Sequence, residues 1–594
     1  MPRARRAALL GGGVSAYVDL NFAAGKFKAG TSSAGDLTAL PGFTFTRASL
    51  AMGYDATGKL TYGPNNLCPQ SQTFATSPWS VSNASISVDA TAAPDGSLTA
   101  DKLVENTATS DHRVQQSTTA IPSGARIVFS LYMKAAERTK AKLYTNIQGG
   151  SKAVTLDLSA GSVTSYTVQN APTITSAGNG WWRVSWWQTA DVASTYAPYV
   201  VLLNEAGSES YTGDGTSGLF LWGAQLEAVT YQTTPSTYYP TTTAAYYGPR
   251  LVYDPVTLAS LGILVEEART NSVVQSQDFN TSWTLSRASV SVNATTSPDG
   301  TSNADRLFED SVAANTHRIF GTATTTAAAW TWSVYAKAST RSWIYLRIDR
   351  NGGTTPNAWF DLANGVVGTA ETGLTSSIQN VGNGWYRCVV TVDTATAASN
   401  SPLIGLSTGN GVLNYNGDGT SGAFIWQAQL EAGQGASSPI PTPTASVTRA
   451  ADVAAVTGLS VADGCTVLVE GRAPDFVSTD ARCGISDGTT GNRLVATYSG
   501  GAVAPLIAVA SVTQGLGSTT LAAGVAFKSA ISSQAGSYAG SVNGSAATTF
   551  SGGTMPTLTQ MDIGTNVGGG RSWNQATARI RVWKTVKPVT SLTS

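Results

Sequence analysis

The side chains of this 594-residue sequence that could do chemistry are few, and they come in matched sets. Its two histidines, His112 and His317, each precede an arginine, in DHRVQQS and THRIFGT. An imidazole beside a guanidinium can hydrogen-bond a hydroxyl-rich ligand, so His112, Arg113, His317 and Arg318 are candidate glycan contacts. The simpler reading places each histidine on a half-buried strand with its apolar body packed and its polar tip in solvent. Flat faces for the C–H side of a pyranose ring come from Trp181-Trp182, Trp186-Trp187, Trp330, Trp332 and Trp385-Tyr386. Adjacent strand residues point to opposite faces, so in each doublet one ring fills a core and the other faces out. Trp182 and Tyr386 are the expected outward members, because that position stays aromatic while changing type.

Carboxylates recur in the same paired way. Asp214 and Asp418 in GDGTSG, together with Asp101, Asp305, Glu227 and Glu431, could offer hard oxygen ligands to a structural Ca2+. Gly-Asp-Gly is also an ordinary turn, and the repeated carboxylate spacing of a dedicated calcium loop is missing. Catalytic signatures are not found. There is no GxSxG elbow, P-loop, HExxH or Cys/His dyad, and two histidines in separate repeats cannot build a histidine-rich metal centre. Cys68, Cys388, Cys465 and Cys483 show no CxxC or CxxH spacing, which excludes structural zinc and a disulfide scaffold. A glycosidase would need two facing carboxylates about 5–9.5 Å apart, whereas the acids here repeat alongside turn motifs, as architectural groups do. No catalytic residue is assigned and no cofactor is required.

The pairing has one source, an internal duplication. NLCPQSQTF at Asn66 returns as NSVVQSQDF at Asn271, APDGSLTADKLVE as SPDGTSNADRLFE, AGNGWWRV as VGNGWYRC, and YTGDGTSGLFLWGAQLEA as YNGDGTSGAFIWQAQLEA. Each copy reads as short strands between Pro-Asp-Gly, Gly-Asn-Gly and Gly-Asp-Gly turns. In the last strand Phe220, Trp222, Ala224 and Leu226 alternate with Leu221, Gly223, Gln225 and Glu227, so the first set is expected on one face. Gly, Ser, Thr, Val and aromatics dominate, long Leu/Glu/Lys helical stretches are missing, and the fold class expected is all-β. The architecture expected is tandem jelly-roll β-sandwiches followed by a third sandwich. The boundaries are an arm over 1–65 with strands that pair elsewhere, module copies over 66–241 and 271–435, a hairpin-like connector over 242–270, a Pro/Ser/Thr linker over 436–447, and a C-terminal sandwich over 448–594.

Charge narrows the partners. Lys+Arg and Asp+Glu both number 36, and only 12% of residues are charged, so the basic excess of a nucleic-acid binder is absent. No run approaches the roughly 18 apolar residues of a membrane helix. Residues 1–16 imitate a signal peptide, but Gly11-Gly12-Gly13 spoils its helix, and secretion is not expected. Arg3, Arg5 and Arg6 suit an N-terminal arm anchored to an acidic docking site better than DNA.

The order FTRAS, YDATGKL, GILVEEARTN, PDGxxxADxL, GNGWxR, YxGDGTSGxxxWxAQLE and VTRAADV resembles bacteriophage tail-fibre and head-spike proteins. Such proteins carry carbohydrate-binding-module-like jelly rolls, followed by a concanavalin-like, laminin-G-like sandwich. The resemblance runs from about Val18 to the C-terminus and is weakest after about 460. Those relatives place the EEARTN connector before their first module, whereas here it precedes only the second. The resemblance implies a protein made in the bacterial cytoplasm and displayed on a virion surface. It would bind host cell-surface polysaccharide, contact other virion proteins through its N-terminal region and form a homo-oligomer, trimeric for a fibre or pentameric for a spike. Two other readings remain open. One is a polysaccharide depolymerase using carboxylates among Asp452, Asp463, Glu470, Asp475, Asp480, Asp487 and Asp562; the other is a purely architectural spacer.

Overall fold

A computed structural model describes residues 15–116, 120–121, 124–145, 151–190, 194–195, 197–326, 328–350, 355–392, 398–474, 481–565 and 572–594. Residues 1–14 of the signal-like stretch, with Arg3, Arg5 and Arg6, lie outside these residues. Among the described residues the chain is β throughout, apart from a 3-10 turn at Leu37–Ala39 and a short helix at Val589–Thr593.

In the first module two six-stranded antiparallel sheets face each other. One runs, in spatial order, Thr173–Gly178, Trp181–Thr189, Arg126–Ala135, Gly218–Val229, Ala100–Glu105 and Ala84–Thr91. The other runs Ser162–Tyr166, Lys152–Asp157, Lys140–Thr145, Tyr199–Leu203, Arg113–Gln116 and Trp79–Ser82. The alternation of KAKLYT and its neighbours sends Ala141, Leu143, Leu156, Val200 and Leu202 into the core. The second module repeats the order with Thr375–Asn380, Trp385–Val392, Trp330–Ala338, Gly422–Ala432, Ala304–Glu309 and Ala288–Thr295. Its opposing sheet is built on Asn357–Asp361, Trp343–Arg350, Ala398–Ser407 and Arg318–Phe320. These crossing orders are jelly rolls.

The alternation expected for the last strand does not hold along its length. Leu219 and Leu221 point into the core, but Gly223 has φ +64°, and the pairing with Arg126–Ala135 slips between Ser130 and Tyr132. This β-bulge reverses the faces, so Ala224 and Leu226 turn inward while Phe220 and Trp222 go to the outer side. In the second copy Gln427, at φ +50°, does the same, placing Ile425 and Ala428 inside and Phe424 and Trp426 outside. Both outer aromatic sets are covered. Tyr238 packs on Trp222 at 4.6 Å in the first module, and Met52 and Leu60 of the hairpin Met52–Tyr54/Leu60–Tyr62 lie on Trp385 and Trp426 of the second.

The third sandwich is not contiguous in sequence, and the strands between Val18 and Thr46 of the expected 1–65 arm are part of it. Its first sheet contains Cys465–Arg472, Ala526–Gln534, Ser537–Val542 and Gln575–Trp583, and Val18–Asn21 pairs with that last strand at Arg579–Val582. Ser260–Val265, from the connector hairpin with Arg250–Tyr253, pairs with the same strand at Gln575–Thr577. Phe43–Thr46 pairs with Val453–Val456 in the opposing sheet, and the concanavalin-like core lies between the two sheets.

Each jelly roll is therefore an insertion with a closed neck. Asn65–Asn66 pairs with Tyr246–Tyr247 below the first module, and Arg269–Asn271 pairs with Val447–Arg449 below the second. The 436–447 segment, expected as an extended linker, is instead strapped along the second module. Its N–H groups at Ser437, Ser438, Ile440 and Thr442 donate to Glu431, Glu266, Gln429 and Ser276. Side-chain acceptors buried in the module and neck hold this Pro-rich chain, so its composition misleads.

Candidate functional site

Both histidines sit deep in the modules, at 0% exposure, so no polar tip reaches solvent and no imidazole is presented to a ligand. The Nδ1–H of His112 donates to Asn83 O at 2.5 Å, and its ring packs on Tyr211. His317 Nδ1 donates to Arg287 O at 2.7 Å, and its ring packs on Tyr415. The room comes from the GDG turn: a Cβ on Gly213 or Gly417 would collide with the backbone of Asn106 or Asp310 and crowd the imidazole. Arg113 reaches the edge of its sheet, paired with Asp111 at 2.6 Å, and Arg318 occupies the matching strand position.

Trp182 and Tyr386 do not face outward as expected. Each lies half-buried against its own sandwich core, Trp182 donating its indole N–H to Leu158 O at 2.9 Å. Gly161 and Gly365, in the tight turns of the opposing sheet, leave space for these rings; a Cβ on either would lie within 2.4 Å of ring carbons. Trp181 and Trp385 take the outer side and are buried there by the coverings described above.

The candidate calcium ligands are spent on the backbone. Asp214 accepts from Thr216 N, Ser217 N and Ser217 Oγ, and Asp418 from Thr420 N, Ser421 N and Ser421 Oγ. These bonds hold both carboxyls well below the usual carboxylate range. Asp101 and Asp305 each accept two backbone N–H bonds, from Phe74 and Asp89 and from Phe279 and Asn293. Among the described residues no three His, Cys, Asp or Glu side chains cluster as a metal site would need. The residues do not fit a calcium centre.

What GDGTSG does is anchor a buried ion pair. Glu105 takes a two-pronged contact from Arg138 at 2.8 and 2.5 Å, the hydroxyl of Tyr211 at 2.6 Å and the N–H of Asp214 at 2.9 Å. Glu309, Arg341, Tyr415 and Asp418 N repeat it to within 0.1 Å. All the lone pairs of the buried carboxylate are used, which is what makes its burial tolerable.

A larger ionic hub joins the two necks to the third sandwich. Asp452 accepts from Arg47 at 2.8 Å and Arg250 at 2.5 Å; Arg250 also reaches Glu266 at 2.7 Å, and Arg449 lies 3.7 Å from Glu266. All five side chains are buried. Burial alone would raise the Glu266 carboxyl, but Arg449, Arg250 and Ser438 outweigh it and bring it down to about 2. Arg47, Glu266, Arg449 and Asp452 are charged letters of FTRAS, GILVEEARTN and VTRAADV, and Arg250 comes from the 242–270 connector, so three of the segments that carry the resemblance are crossings between sandwich and modules.

Among the described residues, two surfaces combine polar groups with room for a sugar-sized ligand. The first is the outer face of the first module's Lys140–Thr145 sheet. Tyr144 and Tyr199 lie directly opposite across the strand pair and stack at 4.5 Å with 6° between the rings. Lys142 bridges to Glu209 at 2.6 Å, the Tyr144 hydroxyl donates to the same carboxylate, and Gln115 and Ser80 extend the row. No sequence feature singled out these tyrosines, although the period-two pattern of KAKLYT places Tyr144 on the polar side. On the second module the matching face is apolar: Tyr345, Trp359 and Leu403 are buried together there, with Tyr345 lying over Gly405. The second open surface is a cavity of about 510 Å³ between the second module, the connector and the third sandwich.

No family model matches the sequence, and no curated protein does. Among solved structures, the chain is similar to the N-terminal CBM22-1-CBM22-2 tandem domain from Paenibacillus barcinonensis Xyn10C. The identity is 10%, over 62% of this chain and 98% of that one, with a TM-score of 0.19. The LG1-3 region of the laminin alpha2 chain matches at 10% identity, over 80% of this chain and 95% of that one, with a TM-score of 0.15. At such TM-scores neither likeness bears on the ligand, and the β-sandwich fold rests on the strand orders above.

Proposed function

We propose that the chain is a non-catalytic structural protein of a phage-like virion, a tail fibre or head spike, that adsorbs to host cell-surface polysaccharide. The observation that carries the binding role is the Tyr144/Tyr199 platform. The two half-exposed rings stack on each other, which leaves their outer faces, beside Lys142, Glu209, Gln115 and Arg113, to receive a sugar ring next to donors and acceptors. That is the combination that a pyranose, with one C–H face and a rim of hydroxyls, calls for. The virion role rests on the sequence resemblance, and the closed necks and buried hub support it by giving a rigid, load-resisting junction between modules. Oligomerisation would multiply a weak single-site contact by about 10²–10⁴ where geometry permits.

A depolymerase gains no specific support. Asp452, Asp463, Glu470, Asp487 and Asp562 each bind different partners, namely the hub arginines, Ser533, Arg581, Asn492 and Gln560. Asp475 and Asp480 lie outside the described residues. The deciding experiment passes the purified chain over immobilised capsular and cell-wall polysaccharides, scoring retention and released reducing ends, with Tyr144→Ala/Tyr199→Ala alongside. Retention without release, lost in the double variant, is expected. Release of reducing ends refutes the non-catalytic reading; undiminished retention by the variant refutes the platform, and no retention by either protein refutes polysaccharide binding.

A further inference from the structure

The cavity at the base of the second module has the size of a small-ligand site. Three independently built parts of the molecule meet there. Strand Thr375–Asn380 supplies Ser377 and Gln379, the strap supplies Gln434, and the third sandwich supplies Asn574, so hydroxyls and amides line its wall. None of these residues belongs to the Tyr144/Tyr199 platform.

Two guanidinium groups also line it, one from each side. Arg387, on strand Trp385–Val392, is 7% exposed. Its Nη atoms donate to Ser437 O at 2.7 Å and Ser333 Oγ at 3.0 Å, it lies over the Tyr335 ring, and its buried Nε has no partner among the described residues. Arg472, at the end of strand Cys465–Arg472, donates Nη1 to Gly524 O at 2.8 Å. Neither the buried Arg387 nor the half-buried Arg472 makes an ion pair with a carboxylate among the described residues, whereas the buried Arg47, Arg250, Arg269 and Arg449 each have one. A buried guanidinium held only by neutral oxygens retains strong attraction for an anion.

The carboxylates nearby are mostly committed elsewhere, although the Arg472 charge helps hold the Asp254 carboxyl down. Glu266 is taken by Arg250 and Ser438, Asp254 caps its own turn through Val256 N and Thr257 N, and Glu431 is held by Ser437 and Gln429. Counting hub and cavity together, Arg47, Arg250, Arg449, Arg387 and Arg472 face Asp452, Glu266, Asp254 and Glu431. One positive charge is left over, beside a hydroxyl- and amide-lined space.

From this we infer that the cavity binds an acidic monosaccharide unit, a hexuronate, with its carboxylate toward Arg387 and Arg472 and its hydroxyls against Ser377, Gln379, Gln434 and Asn574. A single carboxylate supplies the missing charge, and the remaining wall suits a ring of hydroxyls. The site is separate from the Tyr144/Tyr199 platform, and either can fail without the other.

The test titrates galacturonate, galactose and acetate into the intact chain by calorimetry, for wild type, Arg472→Gln and Tyr144→Ala/Tyr199→Ala. Arg472 sits at the rim, so its glutamine variant is expected to keep the wild-type thermal transition. Galacturonate should bind saturably with Kd at or below ~1 mM, galactose and acetate at least tenfold more weakly, and Arg472→Gln should weaken galacturonate at least tenfold. The platform variant should bind as wild type. Equal binding of galactose, undiminished binding by Arg472→Gln, or no saturation overturns the site. Acetate matching galacturonate overturns the sugar, and loss in the platform variant relocates the ligand and overturns the proposal. Should Arg472→Gln shift the thermal transition, protection of the Gln379 and Asn574 backbone amides from hydrogen exchange by galacturonate, in the wild-type chain, replaces it as the decisive reading.

Discussion

Asp452→Asn is the sharpest test of the ionic hub. The substitution keeps the volume and removes one negative charge from a group that accepts from Arg47 Nη1, Arg250 Nη2 and Glu266 N. Three buried arginines would then face one carboxylate, Glu266. Breaking one buried pair by removing a partner costs about 3–5 kcal/mol, because the surviving charge stays desolvated. Arg47 loses its carboxylate here while Arg250 keeps Glu266, which argues for the middle of that range. The energy is drawn from the third sandwich, where Arg47 follows strand Phe43–Thr46 and Asp452 precedes strand Val453–Val456. For a unit of this size each kcal/mol moves the midpoint by ~2–4 °C, so a fall of roughly 10 °C is expected in that transition. The jelly-roll transitions should move far less. Differential scanning calorimetry resolves the transitions, and hydrogen exchange at the amides of residues 43–46 and 453–456 assigns the one affected. A midpoint within ~2 °C of wild type would refute the claim that these pairs hold the junction.

Other outcomes follow from the same geometry. The Glu266 carboxyl, held at about 2 against an unfolded value near 4.5, contributes stability that is fully present above about pH 4.5 and lost as the pH falls toward 2. Acid titration of the third sandwich should therefore show a loss of about 3 kcal/mol in that window, and Glu266→Gln should flatten it. Trp182→Ala should destabilise the first module by about 2–3 kcal/mol in chemical denaturation, because the ring packs on the core over Gly161; a change within ~0.5 kcal/mol would mean it faces solvent. Tyr211→Phe or Tyr415→Phe should cost its module about 1–2 kcal/mol by removing one bond to a buried carboxylate.

Much of the architecture was legible in the sequence, and the reasons for the failures are physical. The duplication, the all-β class and the turns came from repeated strings and from Gly, Asn and Asp at fixed offsets. The reversal at Gly223 was not legible, because a β-bulge adds one residue and leaves the alternation of letters intact while swapping its faces. The second copy hides it further by using Gln427 instead of glycine. Paired aromatics could not be assigned to inside or outside, because both sides of the Trp181–Thr189 sheet are buried, one by the opposing sheet and the other by Tyr238 and its neighbours. His112 and His317 read as strand residues with wet tips, yet a glycine far along the chain clears the space that swallows them. The hub was visible only as scattered Arg, Glu and Asp within apolar strings. The strand that joins residues 18–21 to 579–582 is a contact that no local pattern encodes.

That last pairing sets an order of events during synthesis. Strand Gln575–Trp583 is the seam to which both Val18–Asn21 and Ser260–Val265 must attach, and it follows both modules along the chain. Each jelly roll, closed by its own neck, has all its partners available long before then and can fold as soon as it is made. The early strands must wait for several hundred residues with an unpaired edge exposed, so the scaffold on which the two modules stand is completed only after both of them.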